Sequence, residues 1–130
     1  MNGGEIALDT NQAIAVLNNT GEIATWIAAY TVAYLPVIVI GELRFGALNS
    51  ARSAANLARI DQLVYRCTIL GAGLATAEQY ARIRLELKRQ GTAIPENDIW
   101  IAAICVERNI PLATSDGHFD QVPGLSIVTP

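Results

Sequence analysis

The feature that most constrains the fold of this chain is a short apolar run, EIAL at residues 5–8, which ends abruptly in Asp9. A brief apolar run between polar residues, followed by a helical pattern, is typical of a parallel strand that is buried on both faces, and it predicts a strand at Ile6–Leu8. Asp9 then stands at the carboxyl end of that strand, where open α/β sheets bind their ligands. Aspartate is also a preferred helix cap, so a purely structural role at the start of the next helix is the alternative for Asp9.

Apolar segments alternate with helical patterns along the rest of the chain. Strands are predicted at residues 30–35, 67–70, 112–114 and 124–128, the last at a sheet edge, and helices at 12–18, 22–29, 54–65, 76–89 and 99–106. The segment Val37–Leu48 is either a strand or a helix, because its start is β-branched. Strands that alternate with helices predict an α/β fold around a parallel sheet. A chain of 130 residues suits one domain, residues 1–130.

Composition limits the class of protein. With 52% hydrophobic residues and a mean hydropathy of +0.31, the chain is expected to be globular, with an apolar surface that a partner covers. No apolar run reaches the ~20 residues of a membrane span, and the start lacks a secretory signal, so we expect a cytoplasmic protein.

Cys67 and Cys105 are isolated in apolar runs and are predicted to be reduced core residues. A net charge of -3 argues against broad electrostatic binding of nucleic acid.

Glu42 is the residue for which a purely structural role is hardest to explain. If Val37–Leu48 is a helix, Glu42 shares a face with Ile38 one turn before it and Phe45 one turn after it. That arrangement predicts a carboxylate in an apolar stripe, where an unpaired charge costs several kcal/mol. A salt bridge to Arg44 is the structural alternative, but residues two apart do not face each other on a helix. We therefore expect Glu42 to have a function.

Three further polar signals fall at strand ends or helix starts. Asp9 and Asp116 each follow an apolar strand, and Asp98 opens an apolar helix, where capping is again the structural alternative. Together with Glu42 they predict a cluster of four carboxylates, and close like charges raise one another's pKa unless a cation neutralises them. Oxygen ligands favour a hard ion, Mg²⁺ or Mn²⁺, of the kind that activates water in phosphodiester cleavage. His118, beside a turn, is more typical of a structural hydrogen bond than of catalysis.

Five motifs, spread over nearly the whole chain in the family's order, together resemble the PIN-domain family, and within it the VapC-type toxins of bacterial toxin–antitoxin pairs. The motifs are LDTN at 8–11, GELRFG at 41–46, NDIWIAA at 97–103, TSDGHF at 114–119 and VPGL at 122–125. The resemblance implies a three-layer α/β fold, with a central parallel β-sheet flanked by helices. It also implies a Mg²⁺-dependent endoribonuclease, with Mn²⁺ as the second choice of ion. RNA would be the substrate, and the partners would be a small cognate antitoxin and a second copy of the chain.

The resemblance also implies roles for single residues. The positions that resemble the family's metal ligands are Asp9, Asp98 and Asp116. Glu42 resembles the residue that holds a metal-bound water or helps to deprotonate the nucleophile. The positions that resemble supporting hydrogen-bonding residues are Thr10, Asn11 and Thr114.

Two other classes of protein remain open from the sequence. A phosphoacceptor or phosphatase α/β domain would also place Asp9 after its first strand, but such sites usually need a lysine near a late strand, and the only lysine is Lys88. A binding module without catalysis would use the carboxylate pocket and the apolar surface only to hold a partner. A test of metal-dependent turnover separates the enzyme from the binding module.

Overall fold

Burial on both faces makes the first strand the centre of a parallel sheet. In the computed structural model, which describes residues 4–130, the side chains of Ile6, Ala7 and Leu8 have no exposed surface. Successive side chains of a strand point to opposite faces, so helices must cover this strand on both sides. The predicted α/β fold, a parallel sheet between helices, is confirmed.

The described residues form a five-stranded sheet in the order β3-β2-β1-β4-β5, and each of its strand pairs is parallel. The strands are β1 (Glu5–Leu8), β2 (Val32–Pro36), β3 (Thr68–Leu70), β4 (Leu112–Ala113) and β5 (Ile127–Val128). The helices are α1 (Thr10–Leu17), α2 (Ile23–Ala28), α3 (Val37–Leu48), α4 (Ser53–Arg66), α5 (Leu74–Gln90) and α6 (Glu96–Arg108), with a 3₁₀ helix at Gly117–Gln121. The last strand lies at an edge of the sheet, as predicted.

The segment with the β-branched start is helical. Val39, Leu43 and Ala47 recur at helical spacing on α3 and are buried, so packing on one face outweighs the β preference of its first residues. Pro36 immediately precedes the helix and ends β2. The second strand therefore runs from Val32 to Pro36 instead of the predicted 30–35, because the Tyr30 N–H still bonds the Ile27 carbonyl in the turn after α2.

The other core predictions concern α5, α6 and the cysteines. Gly91 ends α5 in the left-handed conformation, at φ 73°, as expected of a C-terminal cap. In α6, Ile99 and residues 101–105 are buried, which agrees with its nearly continuous apolar sequence. Cys105 is fully buried and Cys67 half-buried, and both are free thiols.

None of the helices between residues 4 and 130 has the length and apolar character needed to cross a membrane.

Candidate functional site

The pairing of β1 with β4 brings two distant polar segments to one edge of the sheet. Leu8 lies opposite Ala113 in adjacent parallel strands, so the residues that follow them, Asp9 and Thr114, emerge side by side. Both side chains are almost completely buried, with 3% and 1% of their surface exposed. A buried carboxylate requires partners for its oxygens, which the end of β4 and the first turn of α1 supply.

Asp9 has a hydrogen bond on each carboxylate oxygen. Oδ1 accepts from the backbone N–H of Gln12 at 2.8 Å, which caps α1, and Oδ2 accepts from the Thr114 hydroxyl. Thr114 Oγ1 in turn accepts from the backbone N–H of Asp116 at 3.0 Å. The capping alternative for Asp9 is therefore observed, and the same residue also belongs to a polar network that reaches Asp116.

Asp98 and Asp116 converge with His118, for which the sequence predicted only a structural hydrogen bond. Asp98 lies in the first turn of α6, and its Oδ2 is 3.2 Å from Nδ1 of His118. The same Nδ1 is 3.2 Å from Oδ1 of Asp116, which also accepts from the His118 backbone N–H at 2.9 Å. One ligand atom from each of these three residues lies within 4.8 Å of the other two. The structural hydrogen bond predicted for His118 is present, but it is made inside the carboxylate cluster.

Glu42 approaches the cluster from α3 in a setting that differs from the prediction. It is half-buried, and its Oε1 accepts from the Thr10 hydroxyl at 2.6 Å. Its neighbour on the helix face, Phe45, is 70% exposed, because the buried stripe of α3 runs through Leu43 instead. The predicted apolar stripe is therefore present only on one side of Glu42, where Val39 is buried, and Glu42 is not the unpaired charge that was predicted. Arg44 pairs with Asp61 of α4 at 3.0 Å and not with Glu42, as the helical spacing predicted.

The four carboxylates share one electrostatic environment. Burial raises the pKa of Asp9 above its ordinary value, hydrogen bonds from Thr114 and Gln12 oppose the rise, and the charges of Asp116 and Glu42 add to it. Burial also raises the pKa of Asp98. Its hydrogen bond with His118 opposes this rise, and the charges of Asp116 and Glu42 add to it. The predicted raised pKa is present, but its largest cause is burial and not repulsion between carboxylates.

Most, but not all, of the predicted supporting residues join this network. Thr10 and Thr114 bond Glu42 and Asp9, whereas Asn11 is exposed and its side chain bonds no residue between 4 and 130. The next residue, Gln12, is buried instead, and its Nε2 donates to Ser115 Oγ at 3.2 Å. Sequence reasoning missed Gln12 because an amide in the first turn of a helix is common. Its place three residues after the cap is the signal that could have found it.

The donor set fits a divalent cation. Asp98, Asp116 and His118 offer two carboxylate oxygens and an imidazole nitrogen within one small volume. Asp9 and Glu42 lie outside this close group, but the charges of Asp116 and Glu42 add to the raised pKa of both Asp9 and Asp98. A positive ion would relieve the repulsion between carboxylates that adds to these raised pKa values.

The phosphoacceptor alternative needs a lysine at the site. Lys88 lies in the last turn of α5 and is exposed, so it does not supply that lysine.

Comparison with known proteins places this geometry in a family. The PIN domain profile matches residues 6–125. The chain is 33% identical over 95 residues to Ribonuclease VapC4 of Mycobacterium tuberculosis, a match that covers 72% of this chain and 73% of that protein. Among solved structures, DNA-bound VapBC from Salmonella typhimurium is similar, with a TM-score of 0.89, 27% identity and coverage of 96% and 97%.

A second structure, VapBC2 from Rickettsia felis bound to a promoter DNA fragment, has the same fold. Its TM-score is 0.92 at 22% identity, and the match covers 98% of this chain and 99% of that one. The region matched by the family profile contains all four carboxylates and every helix described above. This chain therefore belongs to the PIN-domain family, and its relatives are VapC ribonucleases.

Proposed function

We propose that this protein is a divalent-metal-dependent endoribonuclease that acts as the toxin of a toxin–antitoxin pair. The observation that carries the proposal is the close group of Asp98, Asp116 and His118 at the carboxyl edge of the sheet, with the charge of Glu42 acting on Asp98 and that of Asp116 acting on Asp9. The ribonuclease names of similar proteins support the same reaction class. The ion is Mg²⁺, with Mn²⁺ as the second choice, and the protein works in the cytoplasm as one domain, residues 1–130.

In this proposal Asp9, Asp98 and Asp116 hold the ion. When bound, the ion supplies charge neutralisation at the phosphate and Lewis-acid activation of the attacking water. Asp9 keeps a fixed orientation because Gln12 N–H and the Thr114 hydroxyl each hold one of its oxygens. Such fixed carboxylates need no reorganisation during the reaction.

Glu42 is proposed to orient the attacking water or to take its proton. Thr10 holds Oε1 of Glu42 at 2.6 Å and leaves Oε2 without a hydrogen-bond partner among residues 4–130. A carboxylate with one oxygen held and one available has the geometry of a general base. An open cleft of about 660 Å³, lined in part by Glu42, Thr10 and Asn97, gives RNA access to this side of the site.

The activity test uses purified protein and a mixed RNA substrate, with Mg²⁺ or with excess EDTA. Wild type is expected to cleave only with the ion, and Asp9→Asn to lose at least about 100-fold, since metal-assisted stabilisation of the transition state amounts to several kcal/mol. Asp61→Asn is the matched control, because Asp61 is an exposed carboxylate whose one ion pair among residues 4–130 is with Arg44. Strong cleavage in EDTA, or by Asp9→Asn, contradicts the proposal. Metal binding without any turnover supports the binding-module alternative.

The proposed antitoxin occupies a groove between α1, α3 and α4. This groove, of about 230 Å³, is lined by the apolar or small residues Ile14, Leu17, Leu43, Gly46, Ala47 and Ile60, together with Asn18, Glu42, Asn56 and Arg59. Glu42 lies on its wall, so an antitoxin arginine in the groove would reach a carboxylate of the site and form a charge-assisted hydrogen bond. Apolar lining next to an acidic group suits an amphipathic segment with a basic residue.

The partner is tested by co-expression with the product of a small neighbouring open reading frame. Gly46→Leu is expected to abolish co-purification by filling the groove, because a Cβ at Gly46 meets no atom within 4 Å and the helix itself tolerates it. Gly41→Leu is the matched control, since Gly41 lies on the same helix, has equal space, and lines the neighbouring cleft. Equal binding by both variants contradicts the assignment of the groove.

We also propose that the chain forms a homodimer. Several large apolar side chains outside the groove are exposed: Phe45, Leu48, Tyr65, Ile69, Leu74 and Leu85. A contiguous apolar patch is typical of proteins that bury it against another chain, and these side chains are the residues that would form it. Light scattering on the purified protein measures the mass directly, and a monomer at micromolar concentration contradicts the proposal.

A further inference from the structure

The imidazole of His118 is placed as a ligand would be. Its Nδ1 lies 3.2 Å from Asp98 Oδ2 and 3.2 Å from Asp116 Oδ1. We infer that His118 supplies a nitrogen ligand to the divalent ion and moves the preference of the site from Mg²⁺ toward Mn²⁺. This inference rests on the proposed metal site, and it adds a nitrogen to the oxygen ligands that the sequence predicted.

The spacing of the three atoms agrees with a single ion. An octahedral ion with bonds of about 2.0–2.2 Å has neighbouring ligand atoms about 3 Å apart. The two distances from Nδ1 match this spacing, and all three ligand atoms lie within 4.8 Å of one another. In the absence of an ion the same two distances are those of hydrogen bonds from the ring, so the ring nitrogen already occupies the position that a ligand to the ion would take.

The backbone fixes the ring in this place independently of the ion. Asp116 caps the 3₁₀ helix by accepting the His118 backbone N–H, and the next residue, Phe119, is 1% exposed and anchors the turn in the core. His118 thus lies between a capping residue and a buried aromatic, and its ring faces the start of α6. Asp98 meets it there from the first turn of that helix.

The chemical consequence concerns the choice of ion. Mg²⁺ prefers oxygen ligands and water, whereas nitrogen ligands favour first-row transition ions. A site with two carboxylates and one imidazole therefore gains affinity for Mn²⁺ relative to Mg²⁺ from the imidazole. Removing that imidazole should lower Mn²⁺ affinity more than Mg²⁺ affinity.

The test measures binding without RNA, so it does not depend on cleavage. Mn²⁺ bound to the wild-type protein should give electron spin-echo modulation from a directly bound nitrogen, and His118→Gln should lose that modulation. In titration calorimetry, His118→Gln should lower the affinity for Mn²⁺ by about 10-fold or more. The affinity for Mg²⁺ should fall less, so the ratio of Mn²⁺ affinity to Mg²⁺ affinity should fall as well. Asp120→Asn is the matched control, because Asp120 is an exposed carboxylate in the same 3₁₀ helix and is expected to change neither signal.

The outcomes separate this inference from the proposed function. RNA cleavage that needs Mn²⁺ or Mg²⁺, without nitrogen modulation in the wild type, overturns the histidine ligand and leaves the nuclease intact. An unchanged ratio of the two affinities in His118→Gln also overturns it, since a residue that only bonds the carboxylates would affect both ions alike. Failure of the wild type to bind either ion overturns both proposals together.

Discussion

The hydroxyl of Thr114 donates a hydrogen bond to the carboxylate of Asp9, although 105 positions separate the two residues in the chain. The parallel pairing of β1 with β4 creates this contact, because both residues directly follow paired strand ends. The contact is buried, so neither group has water as an alternative partner. It links the carboxyl ends of two strands at the centre of the sheet, and we expect it to stabilise the site.

Thr114→Val tests that contact with a side chain of almost the same shape. The change removes the donor to Asp9 and the acceptor of the Asp116 N–H, so the free energy of unfolding should fall by about 1–3 kcal/mol. Thr114→Ser keeps the hydroxyl and should recover most of the loss. Urea unfolding of the three proteins measures the difference, and equal stability of the valine and serine variants would refute the role of the hydroxyl.

The raised pKa values of Asp9 and Asp98 predict how stability depends on pH in the metal-free protein. The folded state holds these protons at a pH where the unfolded chain, with aspartate pKa values of about 4, has released them. The free energy of unfolding should therefore fall as the pH rises from about 4 through the raised folded values. Asp98→Asn should flatten this decline, whereas Asp61→Asn should leave it unchanged. Melts in EDTA across this range check the sign, and a rise in stability over the same interval contradicts it.

Metal addition should reverse that destabilisation. A ligand that binds only the folded state at 100 times its dissociation constant adds about 2.7 kcal/mol. Wild type should therefore melt at a higher temperature in Mg²⁺ than in EDTA, and Asp98→Asn should gain much less because one candidate ligand is gone. Paired thermal melts measure both gains. If Mg²⁺ has no effect on the wild type, the carboxylates do not form one metal site.

The contact between Thr10 and Glu42 predicts a graded loss of activity. Glu42→Gln should abolish most RNA cleavage, because an amide cannot accept a proton from water. Thr10→Val should cause a smaller loss in kcat with little change in KM, since it only frees Glu42 Oε1 from a 2.6 Å hydrogen bond. Thr10→Ser should restore the rate. Steady-state kinetics on one RNA separates these cases, and full activity of Thr10→Val would rule out a positioning role.

Much of the fold was predictable because it depends on local chemistry. The apolar run before Asp9, the continuous apolar sequence of α6 and the glycine after α5 each specify an element through burial or backbone conformation alone. The alternation of these elements then leaves few arrangements other than a parallel sheet. The same local patterns place Asp9, Asp98 and Asp116 at the ends of their elements, which is why the sequence also indicated the carboxylates as a set.

Tertiary structure alone decided how those side chains meet. The exposure of Phe45 and the true partner of Arg44 depend on which face of α3 packs, and Asp61 comes from another helix. The bond between Gln12 and Ser115 depends on the pairing of β1 with β4. His118 meets Asp98 only because the turn after β4 lies against the start of α6. Sequence periodicity reports which face of one element is apolar, whereas the distance between two charges on different elements is set by how the elements pack.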